Sequence, residues 1–126
     1  MEDILKRFRT NWEGYIRKYG ILLALTILAA LADAASTVYF MCRTGPDTES
    51  HPAIRLISIV FGPILGPIFG KLCQLTVIVA LTVYLRRWAV YIFMTVIILY
   101  TWAAWYNIWG SDLYYPRLLY WLDHLL

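Results

Sequence analysis

Three apolar runs divide this chain. The first, Gly20 to Cys42, is 23 residues long and uncharged except at Asp33. As a helix it would measure about 35 Å, against about 30 Å for the hydrocarbon core of a bilayer. The last, WAVYIFMTVIILYTWAAWYNIW from Trp88 to Trp109, carries no charge, and aromatic rings crowd its second half. Both predict transmembrane helices, over 20–42 and 88–109. A cleaved signal peptide is the rival for the first run, because Ala30-Leu31-Ala32 and Ala32-Asp33-Ala34 resemble cleavage sites. The charged lead of 19 residues and the apolar continuation through Val38 to Met41 oppose it, so an uncleaved span is expected.

The middle run, Ala53 to Leu85, behaves differently. Its 33 residues would form about 50 Å of helix, too long for one crossing and short of two. It also contains GPILGPIFG, where Pro63 and Pro67 each remove a backbone donor and crowd the preceding turn. This predicts a short helix over 53–61, a break at Gly62-Pro63, and a span over 64–85. Broken backbone at membrane depth persists only against protein or along a cavity. The short helix is therefore expected to be re-entrant or interfacial, packed on its neighbours.

At the ends the pattern turns amphipathic. In EDILKRFRTNWEGYIRKY, residues Ile4, Leu5, Phe8, Trp12, Tyr15, Ile16 and Tyr19 recur at helical spacing with basic residues mostly between them. That predicts an interfacial helix over 1–19. The tail SDLYYPRLLYWLDHLL predicts another over 111–126, with Ser111 or Asp112 as its cap and His124 at the interface. Docking on a partner subunit is the alternative for either end. The fold class that follows is an all-α integral membrane protein of one domain. It has three transmembrane helices, a short re-entrant or interfacial helix, an outer loop over 43–52, and amphipathic N- and C-terminal helices.

Composition strengthens this picture. The chain is 61% hydrophobic and only 15% charged, where a soluble domain carries about a quarter charged residues. Charge adds an orientation. With three spans, Lys6, Arg7, Arg9, Arg17, Lys18, Arg86 and Arg87 fall on one side, and Arg43, Arg55 and Arg117 on the other. The positive-inside rule then puts the N-terminus in the cytoplasm and the C-terminus outside. A net charge of +3 gives no reason to expect nucleic acid; the lipid bilayer is the expected partner. Cys42 and Cys73 lack metal-type spacing and read as small buried hydrophobes.

One polar constellation interrupts the apolar pattern. The helix face of Asp33 carries Thr26, Ala29, Ala30, Ser36, Thr37 and Phe40, a stripe of small and hydroxyl-bearing residues suited to close helix packing. A charge at mid-membrane still costs at least about 2.5 kcal/mol on insertion scales. Asp33 lies about 20 Å from the inner end of its span, and Lys71 about 22 Å from the same side. Their matched depths predict an intramembrane pair, with Ser36, Thr37 and Gln74 completing a polar cluster. Gly62, Gly66 and Gly70 recur every fourth residue just before Lys71, and as a helical groove they would receive the Asp33 stripe. The prolines offer the other reading, one helix ending and the next beginning, with Pro67 in a first turn.

The loop RTGPDTESHP places Asp47, Thr48, Glu49, Ser50 and His51 in succession. Ser50 as cap, Pro52 in the first turn, and acids near the positive end of the helix make a helix start. Folded back over the pair, Glu49 and His51 would instead form a mouth, and with Asp33 they are the candidates for holding a metal. The sequence has no HExxH, no paired histidines and no second carboxylate at helical spacing, so neither a metal nor a cofactor is assigned.

The D-x-x-S-T pattern of the first span, the E-x-H-P after it, and the lysine of the following span resemble an uncharacterised family of small prokaryotic membrane proteins, a domain of unknown function. The resemblance covers roughly residues 25 to 85, resting on Asp33, Thr37, Glu49, Pro52 and Lys71. It departs from the family at His51, which stands where the family has asparagine. It implies a prokaryotic cytoplasmic membrane and a polar cluster acting as a unit, and it brings no activity.

Three functional classes follow. The first is an oligomeric or accessory structural subunit of a membrane complex, with Asp33 and Lys71 setting helix register and the partner being itself or other membrane subunits. The second is an oligomeric transporter or channel-like protein using the same cluster and the broken GPILGP segment. The third is a membrane enzyme or metal site at Asp33, Glu49 and His51.

Overall fold

The computed structural model describes residues 1–44 and 52–109. Within them the chain forms α1 (Glu2–Trp12), α2 (Tyr15–Thr44), α3 (Pro52–Phe61), α4 (Leu65–Tyr84), a 3-10 turn at Arg86–Trp88, and α5 (Ala89–Trp109). Among the described residues three helices, α2, α4 and α5, are long and apolar enough to cross a membrane. The outer-loop residues Glu49 and His51, and the predicted tail helix over 111–126, lie outside the described residues.

The chain does not form one amphipathic helix over 1–19. Gly14 adopts φ +68, which breaks the helix after Trp12 and hands Tyr15, Ile16 and Tyr19 to the start of α2. Tyr15 and Tyr19 are 0% and 4% exposed and join Phe93, Ala89, Ile78 and Val83 in the main apolar core, so they face protein. α1 is held against α4 and the following turn. Arg86 Nη1 donates to the carbonyls of Asn11 (3.0 Å) and Glu13 (2.7 Å), while Asn11 donates to the carbonyl of Tyr84 at 3.2 Å. Arg7 sits over the Tyr84 ring, 4.4 Å from its centroid. The guanidinium thus satisfies carbonyls that end a helix, which would otherwise lack partners.

α2 packs most extensively on α5, and the two run parallel in fixed register. The Tyr19 ring lies tilted beside that of Phe93 at one level and Asp33 meets Asn107 at another, 74 residues apart in each case. Small buried residues on this seam, Ala30, Ala34 and Ala104, allow the close approach. α4 runs antiparallel to both: Tyr15 reaches Thr82 near its end and Asp33 reaches Lys71 near its start.

The helix break falls at Gly62, whose φ of +95 turns the chain between α3 and α4. α3 then lies antiparallel on the first two turns of α4. A Cβ on Gly66 would collide with the Ser58 backbone, and one on Gly70 with the Ile54 side chain. The expectation that the glycine groove receives the Asp33 stripe is therefore overturned: Gly66 and Gly70 receive α3, and Gly62 makes the turn. Tight local hairpin geometry claims those faces before a distant helix can. Cys42 and Cys73 are free and exposed, contrary to the reading of them as buried hydrophobes, because a three-helix bundle leaves one side of each span uncovered.

Candidate functional site

The polar side chains of three helices converge about two-thirds of the way along α2. Lys71 Nζ forms an ion pair with Asp33 Oδ2, the lysine side chain 13% and the aspartate side chain 7% exposed. Two charges so desolvated persist only with further polar partners, and the surroundings supply them. Lys71 also donates to Gln74 Oε1 at 3.0 Å, one helical turn further on, and lies over the Tyr100 ring, 4.2 Å from its centroid. Tyr100 OH donates to the same Gln74 oxygen at 3.0 Å. A carbonyl that accepts from both an ammonium and a phenol joins α4 to α5.

On the carboxylate side, Thr37 donates to Asp33 Oδ1 at 3.5 Å, a long bond, and Ser36 donates to the Asp33 carbonyl at 2.9 Å. Asn107 Nδ2 reaches three oxygens on α2: Thr37 Oγ1 at 3.0 Å, Ser36 Oγ at 3.2 Å, and Asp33 Oδ1 at 3.4 Å. One amide thus ties α5 to a whole turn of α2. Asp33, Ser36, Thr37, Lys71 and Gln74, read from the sequence as one cluster, do meet here. Tyr100 and Asn107 were missed. Both lie in the last span, whose lack of charge hid them, although Asn107 is the sole side-chain amide in that run.

Beside the pair opens a cleft of about 350 Å³, walled by Asp33, Thr37, Ile54, Lys71, Trp102 and Asn107 among others. Ile54, in the first turn of α3, and the buried Pro67 of α4 close one side, so the broken segment helps to shape the cavity. An apolar groove of about 610 Å³ runs from the same place between α4 and α5, along Val77, Ile78, Val96 and Leu99. Pro52 opens α3 and is exposed. Of the metal candidates only Asp33 is described, and no three His, Cys, Asp or Glu residues come together among the described residues.

The arrangement can hold an ion pair away from water, and it can present adjacent opposite charges to a small cleft. No protein-family model, curated protein or solved structure matches the chain.

Proposed function

We propose that this protein is a multi-pass membrane protein, N-terminus inside and C-terminus outside, that serves as an oligomeric or accessory structural subunit. In this reading α3 is re-entrant, the amphipathic ends rest at the interfaces, and the prokaryotic cytoplasmic membrane is its site. The Asp33–Lys71 pair acts as an internal lock that fixes the register of α2, α4 and α5.

The observation that carries the reading is the face left uncovered once the lock is closed. α5 has the least buried span, 17% within the bundle. Its exposed residues Tyr91, Met94, Ile98, Trp102 and Trp105 follow one another at intervals of three and four. Such a stripe of large side chains on one helix face fits a partner helix. The test is native mass spectrometry after gentle extraction into nanodiscs. Stoichiometric co-purification with other membrane subunits, or a homo-oligomer, supports the reading; a solitary monomer overturns it.

The cleft favours a second reading, an oligomeric transporter. Replacing both members, Asp33→Leu with Lys71→Met, separates the two. A structural lock tolerates the replacement and assembles, whereas a transport path loses its function while the protein still inserts.

A further inference from the structure

A separate apolar groove of about 680 Å³ lies between α2 and α4, with α1 across one end. α4 contributes one face of its helix, Leu72, Leu75, Thr76, Val79, Ala80 and Val83, at helical spacing. α2 adds Leu23 and Ile27, and α1 adds Phe8, Arg9 and Trp12. The α1 end is fixed in place. The Phe8 ring lies 5.5 Å from that of Tyr84, the last residue of α4, and Arg86 holds the carbonyls of Asn11 and Glu13. The groove is therefore formed in the folded chain, and its volume falls in the range of about 300–1,000 Å³ usual for small-molecule sites.

Its long axis has a polarity. Val83 stands one residue from the end of the α4 span, Leu65–Tyr84. From there the groove follows α4 inward to Leu72, about 16 Å of helix, close to the thickness of about 15 Å for one leaflet of hydrocarbon. The walls along that path are apolar except at Thr76, whose hydroxyl is spent on the Leu72 carbonyl at 2.8 Å. Ile27, Leu72 and Thr76 are exposed, so the groove opens sideways.

The outer end is basic. Arg9 is exposed there and takes part in no ion pair among the described residues. Trp12 is half exposed, and an indole favours the boundary between acyl chains and headgroups. The same end of the bundle gathers Lys6, Arg7, Arg17, Lys18, Arg86 and Arg87 with Arg9, against the acids Glu2, Asp3 and Glu13. A guanidinium binds phosphate through two parallel N–H donors. A lipid without net charge gains nothing from the basic surplus, whereas an anionic one does.

We propose that this groove binds one anionic phospholipid of the leaflet beside α1. Its phosphate lies against Arg9, its glycerol region beside Trp12, and one acyl chain runs between α2 and α4 as far as Leu72. The site goes beyond the subunit reading and does not depend on it.

The test uses the full chain in lipid-free detergent, titrated with phosphatidylglycerol or phosphatidylethanolamine of identical chains and followed by native mass spectrometry. Three exposed positions are varied. Arg9→Gln removes the phosphate partner, Arg17→Gln removes an equal charge at the same end outside the groove, and Thr76→Trp fills the groove. The expected result is one phosphatidylglycerol per chain, held roughly tenfold tighter than phosphatidylethanolamine. Arg9→Gln should abolish that preference, Arg17→Gln should keep most of it, and Thr76→Trp should lose the bound lipid of either kind. Equal retention of the two lipids by the native chain overturns the site. So does equal loss in Arg9→Gln and Arg17→Gln, the mark of diffuse attraction, and so does retention that survives Thr76→Trp. An oligomer broken by Thr76→Trp while lipid retention is unchanged assigns the groove to a partner helix, which also overturns the site. Subunit stoichiometry is read separately in the same spectra, so failure of the lipid site and failure of the subunit reading remain distinct.

Discussion

At the α1 end of the bundle, Tyr15, Tyr19, Ala89 and Phe93 are each at most 4% exposed, and their polar atoms end on neutral partners: Tyr15 OH on Thr82 Oγ1 at 2.6 Å, Tyr19 OH on the Arg86 carbonyl at 3.2 Å. Further along the bundle the groups are a buried aspartate and a part-buried lysine, and a cleft opens beside them. Both regions join α2 to α4, yet by different physics. Aromatic packing is non-directional and tolerates the loss of one hydroxyl bond, because the area removed from water or lipid remains. A charge pair in low dielectric is all-or-none, because either partner alone is stranded. One region is held by apolar area and the other by a charge pair with a cleft beside it.

The sharpest way to break the comparison is Lys71→Met. It is expected to destabilise the bundle by about 3–5 kcal/mol, since Asp33 is left buried and unpaired. The double variant Asp33→Leu with Lys71→Met should regain most of that loss, as measured by reversible unfolding in mixed micelles. Were the double variant as unstable as the single one, the pair would be more than a lock. Arg86→Ala at the α1 end should cost about 2 kcal/mol, the value of charge-assisted bonds to two carbonyls. Hydrogen exchange should show the loss concentrated in α1, with the polar cluster protected as before.

Gly66→Val should cost about 1–3 kcal/mol by forcing α3 away from α4. A Cys placed at Ser58, 1% exposed in the native chain, should then label readily with a membrane-permeant thiol reagent. Unchanged labelling would mean that α3 is held by something other than its glycine contacts. The smallest effect belongs to Tyr15→Phe. Thr82 also donates to the Ile78 carbonyl at 2.8 Å, so loss of the phenol hydroxyl should cost only about 0.5–1.5 kcal/mol. An effect as large as that of Lys71→Met would erase the contrast between the two regions.

Much of the cluster was legible because depth can be counted. Helical rise brings Asp33 and Lys71 to one level, and a charged residue in an apolar run calls for an opposite charge. The same counting fails for Asn107. Measured from Trp88 it stands about 28 Å along its helix, well above Asp33. In the bundle Tyr19 is level with Phe93, so Gly20 is level with Met94, six residues inside the assigned span. Where an apolar run begins does not set where two helices mesh; the shapes of Phe93, Tyr19 and the alanines along the seam do. The division at Gly14 escaped notice for a related reason. The apolar spacing of Trp12, Tyr15 and Tyr19 continues through it, and only packing reveals that these rings face different neighbours.

From the sequence alone came the class of elements, the three apolar runs long enough to span, the break at Gly62-Pro63 and the demand that Asp33 and Lys71 find partners. Each of these follows from local chemistry: hydrophobic length, a missing backbone donor, or the cost of an unpaired charge in low dielectric. Only the tertiary structure decided that Gly66 and Gly70 receive α3, that Tyr100 and Asn107 complete the cluster, and that the ion pair lines both a cleft and a neighbouring groove. These depend on register and on the volume left between helices, quantities that belong to pairs of surfaces and to no single stretch of chain.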